Sequence, residues 1–149
     1  MKNFFLFFLI LGLDRFSKLF VKDNFFLGES VPVIPDFLHC TYILNKGAAF
    51  GILENNRYLF IGIAVIVLII VCCFYKKILQ EESFVQYAVA LFVSGTFGNL
   101  IDRIIYGSVI DFIDFRFFPV FNVADMAISG GVFLILWSVL WKAKTRKNL

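Results

Sequence analysis

The 149-residue chain holds one histidine, His39, and three cysteines that make no framework. With a single histidine there is no HExxH helix to bind zinc, and no GxSxG elbow presents a nucleophilic serine. A phosphate-binding loop and a dinucleotide fingerprint are missing too. His39 and Cys40 are neighbours, but in a strand they point to opposite faces, which disfavours a Cys–His nucleophile. Cys72 and Cys73 are adjacent in an apolar run and Cys40 stands alone, so all three read as small packing residues. No small-x-small cleavage site follows the first apolar run, which points to an uncleaved first span. Internal repeats and low-complexity segments are absent from the sequence, and one domain, 1–149, is the natural count at this length.

What is present is apolar. The chain is 60% hydrophobic with 21 phenylalanines and a mean hydropathy of +0.87. A soluble domain sits nearer half apolar, so this is an integral membrane protein. The hydrophobic runs predict an all-α membrane fold with four transmembrane helices at about 3–21, 58–75, 84–101 and 121–141. Runs 58–75 and 84–101 are 18 residues each without a charge, enough at about 1.5 Å per residue to cross a slightly thinned core of ~30 Å. Ser94, Gly95, Gly98 and Asn99 predict close helix packing, and Trp137 and Trp141 predict an interfacial anchor. Between the first two spans, residues 22–57 are punctuated by Gly28, Pro32, Pro35, Gly47 and Gly51. Their alternating pieces, 31–34 and 38–44, predict a small β-rich platform on one membrane face. Residues 102–119 fall outside any predicted span.

The net charge of +3 bunches only in the tail, at Lys142, Lys144, Arg146 and Lys147, which suits anionic lipid better than nucleic acid. With the tail included, Lys and Arg divide seven and seven between the two sides, so the raw count does not orient the chain and only the density of the tail does. It favours both termini inside, with the platform and residues 102–119 outside.

Residues 98–125 place Asp102, Arg103, Asp111, Asp114, Arg116 and Asp125 within or beside apolar sequence. An unpaired charge at the bilayer centre costs roughly 2.5–3.5 kcal/mol on insertion scales, so such groups are functional suspects. Asp14 and Lys18 lie four apart on one helical face, either as a helix-end pair whose lysine snorkels outward or as a polar anchor for a site. Asn99, Asp102 and Arg103 form a candidate polar cluster, with Arg103 making Asp102 a structural carboxylate. Asn122 and Asp125 have the spacing of a capping box, and the helix dipole there favours an ionised Asp125. Two carboxyl groups held close cannot both ionise: one keeps a proton while the other acts as a base. The partner of Asp125 is Asp102, Asp111 or Asp114. Asp111 and Asp114 share a face if helical and oppose each other if extended, and periodicity leaves this open. On these residues alone, an aspartyl protease, a small proton-coupled carrier and a non-catalytic scaffold all stand.

Five elements in order resemble the lipoprotein signal peptidases, or signal peptidase II, the bacterial intramembrane aspartyl proteases. They are Asp14-x-x-Ser17-Lys18, Asn45-x-Gly47-x-Ala49-Phe50-Gly51, Gly98-Asn99-Leu100-Ile101-Asp102-Arg103, Gly107-x-Val109-x-Asp111-Phe112 and Phe121-Asn122-x-Ala124-Asp125. The resemblance implies that Asp111 and Asp125 are the catalytic dyad. Asn99, Arg103 and Asn122 would shape the site; Asp14, Lys18, Asn45, Gly47 and Asp102 would support it or bind substrate. It further implies cleavage of prolipoproteins before a diacylglyceryl-modified cysteine, with no metal or organic cofactor and a monomer sufficing. The location implied is the cytoplasmic (inner) membrane, with a site toward its outer face. The chain departs from the family pattern at Arg15, where Gln is common, and at Phe118, where Trp is often found.

Overall fold

Seven elements run through the computed structural model, which describes residues 2–47 and 53–147. They are α1 (Lys2–Asn24), β1 (Ser30–Ile34), β2 (Leu38–Asn45), α2 (Arg57–Ile78), α3 (Ser83–Tyr106), β3 (Val109–Asp114) and α4 (Val123–Lys147). Ala49, Phe50 and Gly51 of the second sequence element lie outside the described residues.

Three helices, α2, α3 and most of α4, are long and apolar enough to cross a membrane. The 23-residue α1 is of similar length but carries Asp14, Arg15, Lys18, Lys22 and Asp23 in its second half. Helix α3 is the hub: it packs most extensively on α4 and also on α1 and α2. The α3–α4 approach is close because small residues meet there. A Cβ on Gly95 would collide with the carbonyl oxygen of Ala124, and one on Gly131 would lie 2.6 Å from that of Ala88. No residue of α2 is buried, so its apolar surface is left for lipid.

The predicted platform forms, but it contains a third strand. β1, β2 and β3 make one antiparallel sheet in that order, with Asn45 opposite Val109 and Ile43 opposite Asp111. Val21, Tyr42 and Ile110 form its buried core against the ends of α1 and α3.

Residues 102–119 are therefore not the irregular outer segment expected. Helix α3 runs on through Asp102 and Arg103 to Tyr106 and stops at Gly107, whose φ of +76° suits a residue without a Cβ. The helix continues past Asp102 because Lys18 and Arg15 of α1 meet its charge, and past Arg103 because Phe60 and the Gly47 carbonyl receive its guanidinium, which hydropathy along α3 alone cannot reveal.

Candidate active site

The site begins with a turn. Strand β3 is extended, so Asp111 and Asp114 face opposite ways and do different work. Asp114 accepts the Thr41 hydroxyl at 2.7 Å and the Arg116 backbone N–H at 2.7 Å, with the Arg116 guanidinium at 3.2 Å. Burial alone would raise the Asp114 carboxyl, but these hydrogen bonds outweigh it and hold the group below its ordinary value. Arg116 adopts φ +67°, and the chain doubles back. Phe121 then pairs with Ile113, donating to its carbonyl at 3.1 Å and accepting its N–H at 2.8 Å. That return sets Asn122 beside Asp111. Asp114 and Arg116 are the makers of this turn.

Asn122 is fully buried and opens α4. Its side-chain oxygen accepts the Asp125 N–H at 2.9 Å, and its own N–H reaches Asp125 Oδ2 at 3.3 Å, so the capping box is real. Its amide nitrogen also donates to Asp111 Oδ1 at 2.6 Å, with the Asn99 Oδ1 at 3.2 Å. Asp111 Oδ2 accepts Asn45 Nδ2 at 2.9 Å from the neighbouring strand. Asp125 Oδ1 accepts Asn99 Nδ2 at 2.7 Å. Three asparagines from three elements thus hold two carboxyls.

Asn99 is oriented in turn by Lys18. The ammonium has three donors and no acceptor, so the amide oxygen must face it, at 2.9 Å, and the amide nitrogen must face Asp125. Lys18 is fully buried and makes ion pairs with Asp14 Oδ2 at 3.0 Å and Asp102 Oδ2 at 2.9 Å. The predicted Asp14–Lys18 pair therefore exists, but the lysine does not snorkel; its charge is met inside the protein. Asp102 is held by Lys18 and Arg15, not by Arg103 as its sequence neighbourhood suggested. Asp14 also accepts the Ala124 N–H at 3.0 Å and so ties α1 to the start of α4. The Arg103 guanidinium instead sits 4.8 Å from the Phe60 ring centroid and reaches the Gly47 carbonyl at 3.4 Å, spanning α2 and the end of β2. Gly47 N–H donates to Asn45 Oδ1 at 2.9 Å, which fixes the Asn45 amide that Asp111 uses.

A cavity of about 250 Å³ is lined by Asp111, Asp125, Asn45, Gly47, Asn99 and Arg103. Its remaining wall comes from residues 118–121, Val109 and Ser129. Ser129, one helical turn beyond Asp125, was not singled out from sequence; a lone serine in an apolar run gives no signal. Burial first, and then the charge of Asp125, raise the Asp111 carboxyl to about 7; hydrogen bonds from Asn45 and Asn122 and the charge of Lys18 pull it down. Near neutrality the Asp111 carboxyl can hold a proton and release it, and the cavity leaves room beside the pair for a polar group. The thiol of Cys40, pushed up by burial, stays protonated and unreactive, as a packing residue should. Among the described residues no cluster of His, Cys, Asp and Glu could hold a metal ion.

Comparison with known proteins gives one answer. The sequence model of the family described as "Signal peptidase (SPase) II" matches residues 6–141. A lipoprotein signal peptidase of Moorella thermoacetica is 44% identical over 135 residues, 91% of this chain and 90% of that protein. One of Clostridioides difficile is 38% identical over 141 residues, 93% of this chain and 95% of that protein. A bacterial membrane enzyme solved by the in meso method at 2.3 Å superposes with a TM-score of 0.94 at 35% identity, covering 99% of this chain and 93% of that one.

Proposed function

Because this chain belongs to the signal peptidase II family of bacterial membrane proteases, we propose that Asp111 and Asp125 are the catalytic pair with which it releases signal peptides from prolipoproteins. The observation that carries the assignment is the shared cavity: these two carboxyls line it, and Asn45, Asn99 and Asn122 hold them there. The peptidase reading has the support of the family model and of the curated relatives, and the proton-coupled carrier has none.

The chemistry follows from the pair. Ionised Asp125 takes a proton from a water as its oxygen attacks the scissile carbonyl carbon. Protonated Asp111 gives its proton to the carbonyl oxygen. The tetrahedral diol then collapses: a proton returns from the diol through Asp111, and Asp125 passes its proton to the departing amine, which resets the pair. Asn99 and Asn122 keep both groups in register, and Lys18, Asp14, Arg15 and Asp102 form the buried anchor beneath. Arg103, Gly47 and Asn45 form the wall against which a peptide backbone lies.

The substrate is a precursor whose cysteine already carries a diacylglyceryl group, cut just before that cysteine. The protein is a single domain, 1–149, and works as a monomer. Helix α1 is the fourth span: Asp14, Arg15 and Lys18 turn toward α3 and α4, and Phe4, Phe5, Phe8, Phe16 and Phe20 turn outward. Four spans put both termini on one side, and the basic tail favours the cytoplasm. The dyad then lies toward the outer face of the inner membrane, under the β-platform. Purified protein incubated with a precursor in diacylglyceryl-modified and unmodified forms tests the substrate. Only the modified form should be cut before its cysteine; equal cutting of both would refute the lipid requirement.

A further inference from the structure

At the end of the bundle away from the dyad, α1 and α2 both lie on α3 but do not pack extensively on each other. Between them opens a cleft of about 230 Å³. Its walls include Phe4 and Phe8 from α1, Tyr75 from α2 and Leu79 just past its end, and Ala90 and Val93 from α3. It shares no lining residue with the dyad cavity. Phe4, Phe8, Tyr75 and Leu79 are all exposed, so the cleft opens sideways into the hydrocarbon. At its polar end Asn3 donates to Gln86 Oε1 at 2.6 Å, bridging α1 and α3.

The charges at that end are unbalanced. Lys2, Lys76 and Lys77 lie within a turn of the lining residues, and among the described residues none of them has a carboxylate partner. The nearby Glu81 and Glu82 are taken by Lys142, at 2.8 and 3.6 Å. Lys77 Nζ lies 5.3 Å from the Phe74 ring centroid, which leaves its charge uncancelled. An apolar slot beneath three ammonium groups that no carboxylate neutralises has the chemistry of one ligand: an acyl chain attached to an anionic headgroup at the membrane surface. We infer that this cleft between α1 and α2 binds an anionic phospholipid of the leaflet opposite the dyad, its chain against Phe4, Phe8 and Ala90 and its phosphate among Lys2, Lys76 and Lys77. The site rests on the membrane placement of the helices and not on the peptidase activity, so either can fail alone.

Thermal unfolding of the full chain in detergent, titrated with dioleoylphosphatidylglycerol or dioleoylphosphatidylcholine, tests this. Phosphatidylglycerol should raise the melting temperature by about 5 °C more than phosphatidylcholine, because a ligand that binds only the folded state stabilises it. Ala90→Trp, which fills the cleft, and Lys76→Gln with Lys77→Gln, which leaves it open, should each abolish that preference. Helical circular dichroism and monodisperse elution establish that each variant is folded. Equal response of the wild type to both lipids would overturn the inference. So would an Ala90→Trp protein that keeps the preference, since the basic tail would then hold the headgroup without the cleft. Should Ala90→Trp not fold, the double lysine variant decides by the same criterion.

Discussion

Each carboxyl oxygen of Asp111 and Asp125 already accepts a hydrogen bond, so hydrogen bonding alone does not tell the two apart. In the proposed mechanism the proton of the pair sits on Asp111, whose carboxyl is raised to about 7 by burial and by Asp125. If Asp111 must be protonated to act as the acid, kcat/KM falls on the alkaline side with an apparent midpoint near 7, a property of the pair as a whole. Asn45 favours the ionised form of Asp111, so Asn45→Ala should move that limb to higher pH. A pH profile of cleavage by both proteins checks the direction. The sign for stability is opposite to that of an ordinary salt-bridged carboxylate: the folded state keeps a proton that the unfolded chain has lost, so Asp111 lowers stability as pH climbs from its ordinary 3.8 to about 7, and the loss levels off above that.

Lys18 is the second residue on which the site depends. Its three contacts, Asp14, Asp102 and Asn99, use all its protons. Removing one partner from a buried charge cluster leaves an uncompensated charge and costs about 3–5 kcal/mol. Lys18→Met should therefore melt well below the wild type. The fraction that folds should cleave slowly, because nothing then dictates which end of the Asn99 amide meets Asp125. Melting curves and single-turnover cleavage separate the two effects.

At the level of elements, the α3–α4 seam sets the distance between the Asn99 and Asp125 backbones. Gly95→Ala would press a methyl group onto the Ala124 carbonyl. Overpacking of this kind costs about 1–3 kcal/mol, and here it should also impair cleavage by spreading the seam. Gly62→Ala, where nothing lies within 4 Å of the added carbon, is the control and should leave melting unchanged or slightly raised.

The elements were unequally legible in the sequence. The uncharged runs announced α2 and the first part of α3, and proline and glycine bracketed β1 and β2, because those signals are local. Strand β3 was not legible: Val109-Ile110-Asp111-Phe112-Ile113-Asp114 carries apolar residues at spacings that suit helix and strand alike, and its partner β2 lies far back in the chain. The end of α3 was misread for a related reason, since the Asp102 charge that interrupts its hydropathy is neutralised by Lys18 and Arg15 from α1. Asn122 was read as a cap or as a site residue, and its geometry serves both roles at once. Pairing across long sequence distances is what periodicity cannot supply.

For the whole molecule, the design separates a lipid-facing exterior from a polar seam that runs along the inner faces of α1, α3 and α4 to the sheet. The seam accounts for charges that composition alone would call prohibitive in a membrane. The proposed four-span topology predicts that reporters fused after residue 147 and inserted in the 53–56 turn report opposite sides, the first cytoplasmic and the second outside. Alkaline phosphatase fusions, active only outside, check this; equal activity of the two would contradict it.

The central claim is that Asp111 and Asp125 together cut the substrate. The most direct measurement is turnover of a diacylglyceryl-modified precursor by purified wild type, Asp111→Asn and Asp125→Asn, with melting curves to establish that each variant is folded. Each replacement keeps the shape and removes the exchangeable proton or the base, worth typically 10²–10⁴-fold for one acid–base group. Loss of at least about a hundredfold in both, with folding intact, is the predicted result; wild-type turnover by either folded variant would contradict it.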